Sequence, residues 1–249
     1  MSDIRSAYDA AAPAWRDGPA RAYARMAAAL LDHAPVPLAG ARVLDVGAGS
    51  CVAALEARRR GAALVAATDL AAGMLVPGLP AAVADARALP FGDGAFDLVV
   101  QGFVLNHLAD PVPALAEARR VAGAVAASTF DPGWEHPAKA VVDAVLAEAG
   151  FVVPDWYVAM QNRSPRGASS WRAAALGTGY RSVDVVPVEV ATGLDTPQDL
   201  VDWRWGMAHV APFLATLSPA RRAEHRARAE EAVTGLPPVV VAMLVLSAR

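Results

Sequence analysis

Between residues 41 and 130, five short apolar runs alternate with helical stretches, and no other feature limits the possible folds as much. "ARVLDVG" reads as a first strand, followed by the helix "SCVAALEARRRG", closed by Gly61 as a C′ glycine. "ALVAATDL" is a second strand, "AAGMLVPG" a short helix and "AAVADA" a third strand. "FDLVVQG" and "GAVAASTF" make the fourth and fifth strands, around the helix "PVPALAEARRVA" with Pro111 and Pro113 near its start. Strands that are apolar throughout, alternating with helices, predict a parallel sheet covered on both faces. Residues 20–34 read as a helix stopped by Pro35 and Pro37.

After Phe130 the rhythm changes. Asp131 to Tyr180 is mostly helical in pattern, with Trp134, Trp156, Tyr157 and Trp171 scattered through it. "RSVDVVPVEV" then predicts a sixth strand and "PPVVVAMLVLSA" a seventh, with further helices between them. A chain end that completes the sheet makes those helices insertions, so residues 1–249 form one domain.

Composition narrows the class. The apolar share of 55 % is largely alanine, and no apolar run is long enough for a transmembrane helix. "MSDIRSAYDA" lacks an apolar signal core, and Cys51 stands alone, so a cytoplasmic protein without disulfides is expected. A net charge of −3 gives no general reason to expect nucleic acid, and the basic "RRAEHRAR" reads as a solvated helix face. No membrane partner and no metal are expected, because no His/Cys/Asp cluster has ligand spacing.

The chemistry starts at "VLDVGAGS". A dinucleotide-binding turn would continue G-x-G-x-x-G with pyrophosphate at the helix N-terminus. Here Gly47 and Gly49 fill the first two positions, but Val52 occupies the third. Asp45, at the end of the first strand, would repel a pyrophosphate yet could accept hydrogen bonds from an ammonium. A phosphate-free cofactor with an amino acid at one end and an adenosine at the other suits that acid. S-adenosyl-L-methionine is such a molecule.

"VLDVGAGS" resembles the first motif of class I S-adenosylmethionine-dependent methyltransferases, an acid followed by G-x-G-x-G. Cys51 stands where the family carries its third glycine. "ATDLAAGML" is similar to the end of the family's second strand, where an acid, here Asp69, grips both ribose hydroxyls; it lies 24 residues after Asp45. "VADARALPFGDGAFDLVV" and "FDLVVQGFVLNHLADP" resemble the small-molecule branch, including ubiquinone- and menaquinone-type and natural-product enzymes. The resemblance makes Asp85 the acceptor for the adenine amino group and gives the backbone amide of Ala86 a part beside it. It implies a Rossmann-like α/β fold: a seven-stranded, mostly parallel sheet with helices on both faces, a helical N-terminal lid, and helical insertions after strand five. The lid would span 1–39, the cofactor core 40–130, and the substrate cover with the last two strands 131–249. Within "SAYDAAAPAWRDGPARAY", Tyr8 matches a tyrosine that reaches the cofactor, and Trp15 and Tyr23 would help close the cavity. The expected cofactor contacts are Tyr8, Asp45, Gly47, Ala48, Gly49, Asp69, Leu70, Met74, Asp85, Ala86 and Gln101. S-adenosyl-L-homocysteine would be the product.

Ligands of open α/β sheets sit outside the carboxyl ends of the strands. The methyl group should therefore face Gln101, Asn106, His107 and the "DPGWEHP" turn. His107 is the first candidate for a general base and His136 the second, each balanced against a role in capping or packing. Asn106, Trp134, Trp205 and His209 are expected to contact a small, partly apolar substrate accepting the methyl on O, N or C, in secondary metabolism. A cofactor-binding enzyme or scaffold subunit without methyl transfer is the alternative, and an NAD-linked oxidoreductase a weaker one. Oligomeric state is left open, with a homodimer as one option.

Overall fold

A computed structural model describes residues 2–163 and 167–249. Helices α1 (Ser2–Asp17) and α2 (Pro19–Asp32) come first. The α/β core follows: β1 (Arg42–Val46), α3 (Val52–Arg59), β2 (Leu64–Asp69), β3 (Ala81–Val83), β4 (Leu98–Gly102), α4 (Val112–Ala122) and β5 (Val125–Phe130). Then come α5 (Pro137–Glu148), α6 (Asp155–Gln161), α7 (Ala168–Gly177), β6 (Val183–Ala191), α8 (Pro197–Trp205), α9 (Ala211–Leu214), α10 (Pro219–Ala232) and β7 (Val240–Ala248). The strands form one sheet in the order β3-β2-β1-β4-β5-β7-β6. β7 is antiparallel to both of its neighbours, and the other pairs are parallel. The seven-stranded, mostly parallel sheet expected from the alternation is what forms. No helix among the described residues is long and apolar enough to cross a membrane.

Two cores sandwich the sheet. Val43, Leu98, Val100 and Ala126 pack against α2, α3, α5, α8 and α10, while Leu44, Val99, Val125 and Ala127 pack against α4 and α7. Successive strand residues point to opposite faces, so each strand must be apolar on both. Local signals fix the ends. Thr196 and Asp199 form a capping box that starts α8. Gly61, at φ +89°, ends α3 where that glycine was expected. Only Ala81–Val83 of "AAVADA" is strand; Asp85 lies beyond it, in a loop bridged to Ala88.

The strand order reverses between β1 and β4, so a crevice opens there at the carboxyl ends of the strands. The α1–α2 corner closes one side of it by abutting α8. A Cβ on Gly206 would stand 2.2 Å from Pro19 Cδ, so only glycine allows that approach.

Candidate functional site

The crevice holds two cavities of about 190 Å3 each. The first is lined by the glycine turn and by the strand-end acids Asp45, Asp69 and Asp85. Gly47 takes φ +66°, and a Cβ there would meet Val104 at 2.3 Å, so the turn needs glycine twice over. Asp69 Oδ2 accepts the Gly49 amide at 2.8 Å and Oδ1 accepts the Ala71 amide at 2.8 Å. The same carboxylate that faces the cavity therefore also shapes the turn beside it. Burial raises its pKa, and these amides pull the other way.

Asp45 is 2 % exposed and accepts the Ala54 amide at 2.9 Å. Burial pushes it up to about 7, partly offset by that amide and reinforced by the charge of Asp69. An acid poised to titrate at neutral pH and facing a cavity suits a cationic ligand group and opposes a phosphate. Asp85 is held below the usual carboxylate range by Arg87, whose guanidinium binds it at 2.6 Å. Ala48, Leu70, Met74 and Ala86 also line this cavity. So do Tyr8, Trp15 and Tyr23, with ring centroids 5.7 Å apart for Tyr8–Trp15 and 4.9 Å for Trp15–Tyr23.

One expectation about this cavity needs correction. Gln101 is fully buried and lines neither cavity; its neighbours Gly102 and Phe103 line the first cavity instead. Cys51 takes the left-handed conformation, φ +60°, that a glycine would adopt without strain. Its side chain is buried in the core with Val43 and Ala54 and does not line the cavity.

Four side chains line both cavities: Tyr8, Tyr23, Phe103 and His107. Phe103 also has a left-handed backbone, φ +58°, and its ring lies 5.4 Å from Tyr23 and 4.5 Å from Phe130. Strain held in place by surrounding structure is a mark of functional positions. His107 sits in a short turn, Leu105–His107, with Nε2 3.2 Å from the Tyr8 hydroxyl. Its Nδ1 is buried with no hydrogen-bond partner among the described residues. Burial, aided by the Arg163 charge, lowers its pKa to about 4, so the ring is neutral at physiological pH. Arg163 donates to the His107 carbonyl at 2.7 Å.

Asn106, Trp134 and His209 line the second cavity. His136 is not there. It caps α5: Nδ1 accepts the Ala138 amide at 3.2 Å, and Nε2 pairs with the Pro237 carbonyl at 3.1 Å. With both nitrogens spent, it cannot act as a base on a substrate. Trp205 is also displaced, because α8 ends there and His209 lies past the turn; the Trp205 ring packs in the core beneath Arg226. Trp203 lines the cavity in its place. Sequence reading missed Arg204, Lys139, Tyr157 and Phe130. One signal was available for Arg204, a cation between two tryptophans in "WRW".

Comparison with known proteins agrees with this geometry. The profile of a methyltransferase domain matches residues 44–124. Demethylmenaquinone methyltransferase of Mycobacterium tuberculosis is 43 % identical over 86 residues, 33 % of this chain and 36 % of that protein. The match thus spans about a third of the length of the curated relative. Among solved structures, a protein of Anabaena variabilis assigned as a methyltransferase from an antibiotic biosynthesis pathway superposes with a TM-score of 0.61. It is 14 % identical, and the match covers 89 % of this chain and 96 % of that one. Phosphoethanolamine N-methyltransferase 2 of Haemonchus contortus, solved with S-adenosyl-L-methionine, gives 0.54 at 17 % identity, covering 90 % of this chain and 52 % of that one. Residues 44–124 thus match a methyltransferase domain, and the chain as a whole shares the fold of these solved structures.

Proposed function

We propose that this protein transfers a methyl group from S-adenosyl-L-methionine to a small, partly apolar metabolite held in the second cavity. One observation carries the reading: a cavity lined by three strand-end carboxylates meets an aromatic cavity across Tyr8, Tyr23, Phe103 and His107. The cofactor supplies an electrophilic methyl on a cationic sulfur. Asp45 faces its ammonium, Asp69 its ribose hydroxyls, and Asp85 with the Ala86 amide its adenine. In this reading residues 1–39 act as the lid, 40–130 as the cofactor core and 131–249 as the substrate cover.

The protein's own work is alignment and exclusion of water. Tyr8, Trp15 and Tyr23 roof the cofactor side. With Nε2–H donating to the Tyr8 hydroxyl, the Nδ1 lone pair of His107 is the ring's basic atom and the candidate to take a proton from an acceptor hydroxyl. Quinol substrates draw no support from the menaquinone-type relative, because its match covers only 33 % of this chain and 36 % of that protein. A role in cytoplasmic secondary metabolism rests on composition and on the antibiotic-pathway neighbour.

Calorimetry with S-adenosyl-L-methionine, S-adenosyl-L-homocysteine and NADH tests the cofactor, and methyl-labelled cofactor with a cell-extract fraction tests the transfer. The first two ligands should bind and the label should move to a small molecule. Binding of NADH alone would overturn the reading. Cofactor binding with no transfer to any fraction would make the protein a binding scaffold or a non-methylating enzyme.

A further inference from the structure

We infer that the substrate of the second cavity is an anion: a single-ring-sized apolar body bearing a carboxylate, seated at Arg204 and Lys139. This rests on the reading of the two cavities given above and adds a substrate class to it.

Charge comes first. Among its described residues the cavity is lined by no Asp or Glu, yet two cations line it. Arg204 is 4 % exposed, and Asp143 holds it through Nε at 2.8 Å and through Nη2. Asp143 does not itself line the cavity, so it aims the guanidinium without closing it off. Fixed, desolvated guanidinium groups are suited to carboxylates. Lys139 lies 4.1 Å over the Trp134 ring, and its carboxylate neighbour, Glu135 at 3.4 Å, is 83 % exposed. A partner so exposed offsets little of a half-buried charge.

The cations also converge. Lys139 is pulled below its usual range by burial first and by the Arg204 charge among its neighbours; His209 falls to about 2 through burial and then through Arg204 and Lys139. Asp143 already balances one of these two positive charges, and an anion in the cavity would balance the other. His209, neutral and stacked on Tyr157 at 3.7 Å, adds a polar edge without a third positive charge.

Size and walls describe the rest of the molecule. The volume of about 190 Å3 modestly exceeds the ~150 Å3 of an apolar cavity known to take up benzene. Phe130 and Trp134 stack at 5.0 Å and 11°, forming a flat wall beside the cation end. Tyr8 and His107 lie where this cavity meets the cofactor side, which sets the accepting atom toward them and the carboxylate toward Arg204.

The test is calorimetry on protein saturated with S-adenosyl-L-homocysteine, titrated with 3-hydroxybenzoate and with its uncharged isostere 3-hydroxybenzamide. The acid should bind at least tenfold tighter than the amide, the expected scale for one charge-assisted hydrogen bond. Lys139→Gln should remove most of that preference. Arg204→Gln alone would strand Asp143 and risk the fold, so the double variant Arg204→Gln/Asp143→Asn is used; it too should lose the preference. Homocysteine-product affinity should stay unchanged in both variants. Equal binding of acid and amide, no binding of either, or a preference surviving both variants overturns the anionic substrate and leaves the methyltransferase reading standing. Failure to bind S-adenosyl-L-homocysteine in the wild type would remove the cofactor reading, and this inference with it.

Discussion

From β1 to β5 the first cavity is assembled from residues that follow one another at regular intervals: the glycine turn after β1, Asp69 at the end of β2, Asp85 past β3 and Gly102 ending β4. The second cavity draws Asn106, Lys139, Tyr157, Thr192, Trp203 and Val239 from six separate stretches of chain, from beyond β4 to the approach to β7. The first half uses backbone and carboxylates at strand ends, positions the sheet fixes wherever the fold occurs. The second uses side chains whose meeting depends on how α5, α6 and α8 pack. One half is therefore set by the strand order and the other by how the helices pack.

The seam between the halves should be most sensitive. His107→Ala is expected to lower kcat by about 10²–10³-fold if Nδ1 is the base, with S-adenosyl-L-homocysteine affinity changing much less. Because the ring titrates at about 4, the wild-type rate should be flat above pH 6 as far as this group is concerned. Single-turnover rates across pH in wild type and variant would check it. An unchanged rate in a folded variant would leave alignment alone to account for transfer.

Within the cofactor half, Asp69→Ala should weaken S-adenosyl-L-homocysteine binding by about tenfold to a hundredfold, the scale of one charge-assisted hydrogen bond. The loss includes the Gly49 and Ala71 amides that Asp69 accepts, so the turn itself loosens. The cover-half variant Lys139→Gln should not move that affinity, and a comparable loss there would show the halves to be coupled.

The difference between the halves also explains what could be read in advance. Alternating apolar runs give the strands, and an acid at each strand end is a local pattern, so Asp45, Asp69 and Asp85 were visible in the sequence. Gln101 misled because one-residue periodicity along β4 decides its face: Gly102, not Gln101, shares the face of Val100. His136 misled because its position after β5 is equally that of a helix cap, and the nearby Pro237 carbonyl comes from 101 residues away. Beyond the "WRW" context of Arg204, nothing local marks Arg204 and Lys139 as converging. Only the packing of α5 against α8 brings them together.

Asp45 offers a subtler probe of the cofactor half. Its folded pKa of about 7 means that between pH 6 and 8 the ionised fraction climbs from about a tenth to about nine tenths. A ligand ammonium prefers the ionised form, so affinity should rise about tenfold across that range and binding at pH 7 should release about half a proton. Calorimetry in buffers of different ionisation enthalpy measures both, and Asp45→Asn should flatten the dependence. A pH-independent affinity in the wild type would place the ammonium elsewhere.

The smallest effect should come from Cys51, where this chain departs from the G-x-G-x-G pattern that its first motif resembles. The left-handed backbone there costs a residue with a Cβ about 1–2 kcal/mol, a strain that Cys51→Gly removes. Glycine gives back about 0.5–1 kcal/mol through the freedom of the unfolded chain, and the buried thiol's packing is lost as well. The terms nearly cancel, so Tm should move by only a few degrees. Since the side chain faces the core rather than the cavity, S-adenosyl-L-homocysteine affinity should stay within about threefold. The native thiol, pushed by burial up to about 11, should also resist alkylation at pH 8 until the protein unfolds. A tenfold gain in affinity on removing the side chain would mean that it does press on the cofactor. The glycine turn would then be less interchangeable between relatives than its geometry implies.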